Sequence, residues 1–270
     1  YIKGNAASFS NTGSISSDNI AIALEDTSAS KITARTLNLT ENNAVGVYAK
    51  NSIIDFDVAP ATTKEKTLAL FAEGNTKIRK TVTSAAGKGQ VGVYVKDSGV
   101  RFETGSKVIV NNGVGTDFGV GIYTDKAFSG DINTTIEQNG SETIGLFLGS
   151  SGGIGSTVNY TGNIEVGKGI GVFVPSNSKF VSTDTTFNVD GGTAIFLKGG
   201  TVDLGSAGTS RINFISNGGT AVYQDGGTIT TGTGLTVNGS GSFLALKNAD
   251  STINSILKVG ADGIGINAIY

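Results

Sequence analysis

Cysteine, histidine, methionine and tryptophan are all missing from these 270 residues, and only two prolines occur. Each absence excludes something. Without His or Cys, the usual nucleophile–base pairs and most transition-metal sites are gone. Without Cys there are no disulfides, which suits a chain that crosses an oxidising compartment unfolded. Without Met the chain cannot begin at its own initiator, so it reads as a mature or excised segment, with both ends cut within a longer array. Charge is sparse: 16% of residues are charged and the net charge is −2, which leaves no electrostatic footprint for nucleic acid. No apolar run reaches 18 residues, so no segment is expected to span or contact a membrane as a helix. No segment carries an apolar pattern of helical period, so helices are not expected.

Glycine is abundant, with 41 residues, and apolar residues make up 38%. The glycines do not fall at every third position, so collagen is excluded. The apolar content, in strict short periods, is enough to bury a core, so disorder is not expected. One stretch recurs throughout: aliphatic, small, aliphatic, aromatic, usually aliphatic. It reads Val45-Gly46-Val47-Tyr48-Ala49, Leu68-Ala69-Leu70-Phe71-Ala72, Val91-Gly92-Val93-Tyr94-Val95 and Ile170-Gly171-Val172-Phe173-Val174. The small residue falls at 21, 46, 69, 92, 121, 145, 171, 194, 221, 242 and 265, at intervals of 21 to 29. A period in the twenties held through a whole chain means stacked copies of one unit.

Each period holds two further short alternating segments. After Val91–Val95, Val100-Arg101-Phe102 alternates, and then Val108-Ile109-Val110 runs into Asn111-Asn112-Gly113. Asn or Asp followed by Gly recurs at that place, as in Asn139-Gly140, Asp190-Gly191 and Asn217-Gly218. These residues adopt left-handed backbone angles at little cost and can turn corners. The segments match their counterparts one period later, not their neighbours, which predicts parallel stacking. The expected fold is all-β: one parallel β-helix segment over residues 1–270, three strands per coil and about eleven coils. With roughly 4.8 Å between strands, the rod would be on the order of 50 Å long.

Strict alternation assigns faces. Val45, Val47 and Ala49 and their equivalents are expected inside, and Gly46 and Tyr48 and their equivalents outside. Lys50, Glu73, Lys96, Asp125, Lys198 and Asp225 follow the aromatic by two residues and support the outward assignment. Eight aromatics, four Tyr and four Phe, should then stack as an exterior ladder beside a groove of small residues. Such a ladder reads either as scaffold, shielding neighbouring glycines, or as a binding stripe of exposed apolar surface. From it Tyr94, Tyr123, Phe147 and Phe173 are candidate contact residues. Departures from the repeat are the other place to look, because insertions map to loops. The longest interval contains Asn111–Phe118, which adds Asp117 and Phe118 as candidates. Pro60–Lys66, Phe128–Asp131 and Gly149–Gly153 read as smaller loops.

Catalytic and metal-ligating patterns are weak. Asp184 and Asp190 are the carboxylates that a polysaccharide lyase or hydrolase of the tailspike or pectinase kind would need, but one falls in a loop and the other at a corner. The Gly-Xaa-Gly patterns lie within strands, not between a strand and a helix, so they lack the context of a phosphate loop. Gly260-Ala261-Asp262-Gly263 is a single fragment of the calcium-binding nonapeptide. No cofactor, no metal and no catalytic activity are expected.

The repeated Val-Gly-Val-Tyr or Ile-Gly-Val-Phe strand with Asn-Gly corners resembles the passenger regions of autotransporters, the type V secreted proteins of Gram-negative bacteria. The closest likeness is to the very large fusobacterial autotransporter adhesins. The resemblance covers Ile20 to Ala268. It implies a right-handed parallel β-helix held at the cell surface by a C-terminal β-barrel in the outer membrane. It also implies partners among host-cell glycans, host receptors including immune receptors, and other bacteria. No binding residue carries over, because the shared motif belongs to the scaffold. The segment is expected to be monomeric and to serve as an adhesive stretch or as a spacer.

Overall fold

The computed structural model describes residues 1–4, 9–27, 32–115, 117–205, 212–247 and 263–269. Thr116, residues 260–262 and Tyr270, which figure in the expectations above, lie outside the described residues. Among the described residues there is no helix, and the chain is an all-β parallel β-solenoid of about nine turns. It divides into two compact units. The first comprises residues 1–124 and 133–143, the second 125–132 and 144–270.

In the first unit the recurring stretch forms the strands Ile20–Glu25, Val45–Lys50, Leu68–Glu73, Val91–Val95 and Gly119–Thr124. Each pairs in parallel with the next at the position the repeat dictates: Val47 with Leu70, Leu70 with Val93, and Val93 with Ile122. A second parallel ladder joins Ile53–Ile54, Lys77–Ile78 and Arg101–Phe102. A third joins Thr81–Thr83, Lys107–Asn111 and Thr135–Asn139. β-Branched and aliphatic residues alternating with polar ones bury one side of each strand. Val47, Leu70, Val93, Ile122, Ile78, Val82 and Val108 are fully buried.

In the second unit Ile144, Ile170, Thr193 and Thr220 lead parallel copies, and 242–247 and 263–269 continue the series. In two coils here the second and third alternating segments run together, whereas Thr201–Leu204 and Thr228–Thr231 remain separate strands. Lys179–Asp190 is one strand of 12 residues, paired along its length with Thr157–Val166. The register shifts between Tyr160 and Gly162, and Asp184 takes up the extra residue at φ 48°. The Thr185 hydroxyl bonds the Tyr160 and Thr183 carbonyls at 3.2 and 3.1 Å. A bulge therefore bends the strand where the sequence suggests a turn. At the corners Gly191 and Gly218 adopt φ 77° and 72°, as the Asp-Gly and Asn-Gly pairs predict.

The turn count corrects the expected eleven coils. All eleven copies of the stretch are strands, but a copy is not a closed turn. Eleven copies bound ten intervals, and the last interval contains residues 248–262, outside the described part.

The inner and outer faces are also corrected in one respect. The register skips the small residue: Val45 pairs with Leu68, and Val47 with Leu70, while Gly46 and Ala69 between them face each other without forming a ladder pair. Gly46 and Val47 are both buried, while Val45 is half-buried. A Cβ on Gly92 would lie 2.6 Å from the Gly121 carbonyl oxygen and 3.4 Å from Cγ1 of buried Val108. On Gly171 it would lie 2.8 Å from Cγ2 of buried Val166. The small residue thus faces the core at a kink where two consecutive residues turn inward. Val45, Leu68, Val91 and Ile170 move partly outward in compensation. Among the described residues the small positions beside the eight stacked aromatics, Gly46, Ala69, Gly92, Gly121, Gly145, Gly171, Ala194 and Ala221, are all buried and form no exterior groove. The aromatics themselves are half-buried and point outward, as expected.

Of the expected loops, Phe128–Asp131 is largely strand, and Pro60–Lys66 begins in a two-residue strand and is irregular from Thr62 on. Pro60–Ala61 pairs with Leu37 and Asn38. Phe128 is 1% exposed and leads into the strand Ser129–Asn133.

Candidate functional site

Parallel pairing in register places each aromatic directly beside its equivalent one turn on, and the strand spacing of about 4.8 Å holds their rings in contact. In the first unit Tyr48, Phe71, Tyr94 and Tyr123 stack with centroids 5.6, 5.0 and 5.6 Å apart. In the second unit Phe147, Phe173, Phe196 and Tyr223 stack at 4.9, 5.5 and 4.9 Å. Interplanar angles run from 9° to 28°. Each ring inside a ladder therefore has both faces against its neighbours and presents its edge to solvent.

Charged residues flank the first ladder two positions along each strand. The Tyr48 hydroxyl donates to Oε1 of Glu73 at 2.5 Å, and Lys50 Nζ lies 3.5 Å from the same oxygen. That hydrogen bond, with smaller contributions from burial and from the charges of Glu73 and Glu25, pushes the Tyr48 phenol up to about 12. The Tyr1 hydroxyl donates to Glu25, which also pairs with Lys3 at 3.4 Å. Opposite charges recur at one-turn spacing elsewhere in this unit. Arg79 and Lys77 meet Glu103 at 2.6 and 3.5 Å, and Lys107 meets Glu137 at 2.6 Å.

Asp117 and Phe118 sit on a tight turn in the first unit. The Val114 and Asp117 backbones exchange hydrogen bonds of 3.2 Å, and Gly115 turns the chain at φ 64°. The root of this turn is clamped. The Gly113 and Gly119 amides both donate to the Glu142 carbonyl at 2.9 Å, and the Glu142 amide donates to Oδ1 of Asn112 at 2.9 Å. A side-chain hydrogen bond from Asn112 also holds the Glu142 carboxyl below its ordinary value. The turn tip is open: Asp117 is exposed, Val114 is 51% exposed and Phe118 is half-buried.

In the second unit the Gly149–Gly153 stretch enters a true hairpin. Ser150–Ser151 pairs antiparallel with Ile154–Gly155 around Gly152 and Gly153, leaving Ile154 51% exposed. Asp184 and Asp190 are both exposed, and Asp190 accepts a 2.9 Å hydrogen bond from the Asn217 amide.

Of the six candidate residues, Tyr94, Tyr123, Asp117 and Phe118 belong to the first unit, and Phe147 and Phe173 to the second. Tyr94 with Tyr123, and Phe147 with Phe173, are neighbours in the ladder of their own unit. Residue-level reading missed the clamp by Glu142 and the carboxylate partners of Tyr48. Only the alternation of sign at equivalent positions, Lys50 with Glu73, signalled the latter. No family model, no curated protein and no solved structure matches the chain.

Proposed function

We propose that this chain is a segment of an autotransporter passenger at a bacterial cell surface, acting as an adhesin. The fold is a right-handed β-helix with three strands per coil, and it carries contact residues away from the membrane. Three separate parallel ladders in the first unit support the three-strand coil. The strong right-handed preference of parallel crossovers supports the hand. The partner is a host-cell glycan or protein receptor, and the contacts come from the outward aromatics and the loops.

One observation carries the adhesive reading over a plain spacer. The turn at 113–119 has a rigidly bonded root and an open tip bearing Val114, Asp117 and Phe118. A spacer has no use for a preorganised protrusion, whereas binding gains from one.

The test is binding of the purified chain to epithelial and immune cells, before and after enzymatic removal of surface glycans. Binding that falls on deglycosylation supports a glycan or a glycosylated receptor. Binding that persists supports direct protein recognition. Absence of binding to either cell type overturns the adhesive reading in favour of a spacer.

A further inference from the structure

The aromatic ladder of the first unit skips one rung. Tyr48 stacks one face on Phe71 at 5.6 Å, but its Cα partner on the other side is Ala23. The next strand along pairs Ile2 with Leu24 and Lys3 with Glu25, which sets Tyr1 opposite Ala23. The order is therefore Tyr1, Ala23, Tyr48, Phe71. Two strand spacings separate the backbones of Tyr1 and Tyr48, roughly 9.5 Å. Among the described residues no ring stacks on the Ala23 side of Tyr48. The Tyr1 hydroxyl is bonded to Glu25, two residues along the strand from Ala23, which ties the Tyr1 side chain to this strand, and Ala23 is itself only half-buried.

We propose that this gap is a slot for one pyranose ring of a neutral sugar, with Ala23 as its floor and Tyr48 and Tyr1 as its walls. A ring centred over Ala23 would lie from Tyr48 at about the ladder's own spacing. The apolar C–H face of a pyranose suits an aromatic face, and tyrosine adds a polar tip. The rim supplies the polar groups a sugar needs. Lys3, Glu25, Lys50 and Glu73 line up in register beside it. Glu25 is paired with Lys3, and Glu73 with Lys50. The rim is thus balanced in charge, which favours neutral hydroxyls over a cation or an anion. The Tyr48–Glu73 hydrogen bond fixes the wall in advance of binding.

The second unit offers a contrast. Its ladder ends on Tyr223 opposite Ala245, but Ala245 is only 5% exposed, so that gap is covered.

The slot deepens the adhesive reading and, as a site for a host glycan, rests on it. The experiment is saturation-transfer NMR on the 270-residue chain with methyl glycosides of galactose, glucose, mannose and N-acetylglucosamine. At least one should receive saturation and shift the ring protons of Tyr1 and Tyr48. Tyr48→Ala and Ala23→Trp, the latter supplying the missing rung from the protein, should each weaken binding at least tenfold. Tyr48→Phe should keep most of it. If Ala23→Trp fails to fold, the ring-proton shifts of the unaltered chain decide alone. No saturation by any glycoside, shifts elsewhere than Tyr1 and Tyr48, or undiminished binding by a folded Ala23→Trp chain overturns the slot. Preferential capture of an aromatic peptide overturns it too. Glycan-dependent cell binding that Ala23→Trp leaves intact removes the slot and spares the adhesive reading. Sugar binding by a chain that binds no cells does the reverse.

Discussion

The Tyr48 hydroxyl reaches across one turn of the solenoid to the carboxylate of Glu73, 25 residues later in the chain. The bond needs a protonated phenol, so ionisation is resisted until a pH of about 12, against an ordinary value of 10.0. Because the folded value is raised, the stabilisation is complete below pH 10 and is lost as pH climbs through the folded value. In a spectrophotometric titration of the seven tyrosines, one late component should disappear in Tyr48→Phe. Since the pair is partly open to solvent, that substitution should cost about 1 kcal/mol or less. A titration curve unchanged by Tyr48→Phe would contradict the assignment.

Glu103 behaves in the opposite sense. The Arg79 guanidinium bonded to it at 2.6 Å, aided by Lys77, holds its carboxyl below the ordinary value. Its contribution is therefore present at neutral pH and is lost as pH falls through the lowered value. Glu103→Gln should flatten the acid side of the stability profile and cost about 0.2–1 kcal/mol at pH 7, less in high salt. Chemical denaturation at pH 3 and pH 7 gives the comparison. An equal loss at both pH values would mean that the charge is not what matters.

Gly92→Ala should destabilise the fold by about 1–3 kcal/mol, the range for overpacking. The added methyl meets the Gly121 carbonyl oxygen at 2.6 Å, and backbone cannot swing aside. Thermal unfolding of the single variant is sufficient. A neutral result would show that the kink tolerates alanine there, as it does at Ala69.

Leu70 is fully buried between Val47 and Val93. Leu70→Ala should cost about 2–5 kcal/mol. Asp117→Ala, at an exposed tip, should change stability by less than about 0.5 kcal/mol. If the turn makes contacts, Asp117→Ala and Phe118→Ala should lower cell binding while Asp117→Ala leaves the melting temperature intact. Full binding by both variants would take the turn out of the site.

Register was legible in the sequence because the repeat states it. Tyr48, Phe71, Tyr94 and Tyr123 occupy equivalent places in their periods, and parallel pairing sets them side by side. The direction of Gly46 and Gly92 was not legible. Strict alternation assigns every second residue to one face, and a kink breaks that rule locally without changing any residue type. The bend at Asp184 escaped for a related reason, since a bulge and a turn both recruit small polar residues. The Glu142 clamp escaped because it acts through backbone groups, which every residue type carries. Ala23 holds the aromatic's place in the copy around residue 21, but its meaning depends on the ring-to-ring contacts on its flank.

Within each unit the copies of the recurring strand are bonded to their own equivalents, so their contacts repeat with a translation of one copy. Ala69 and Gly92 are 23 residues apart and hold the same place in their copies. Removing the residues between them, or copying them, returns Leu70-like and Val93-like neighbours to the same partners, and no new core has to be invented. Length in such a molecule is a free parameter. Evolution can add or remove copies in steps of one strand width, roughly 4.8 Å, without solving the folding problem again.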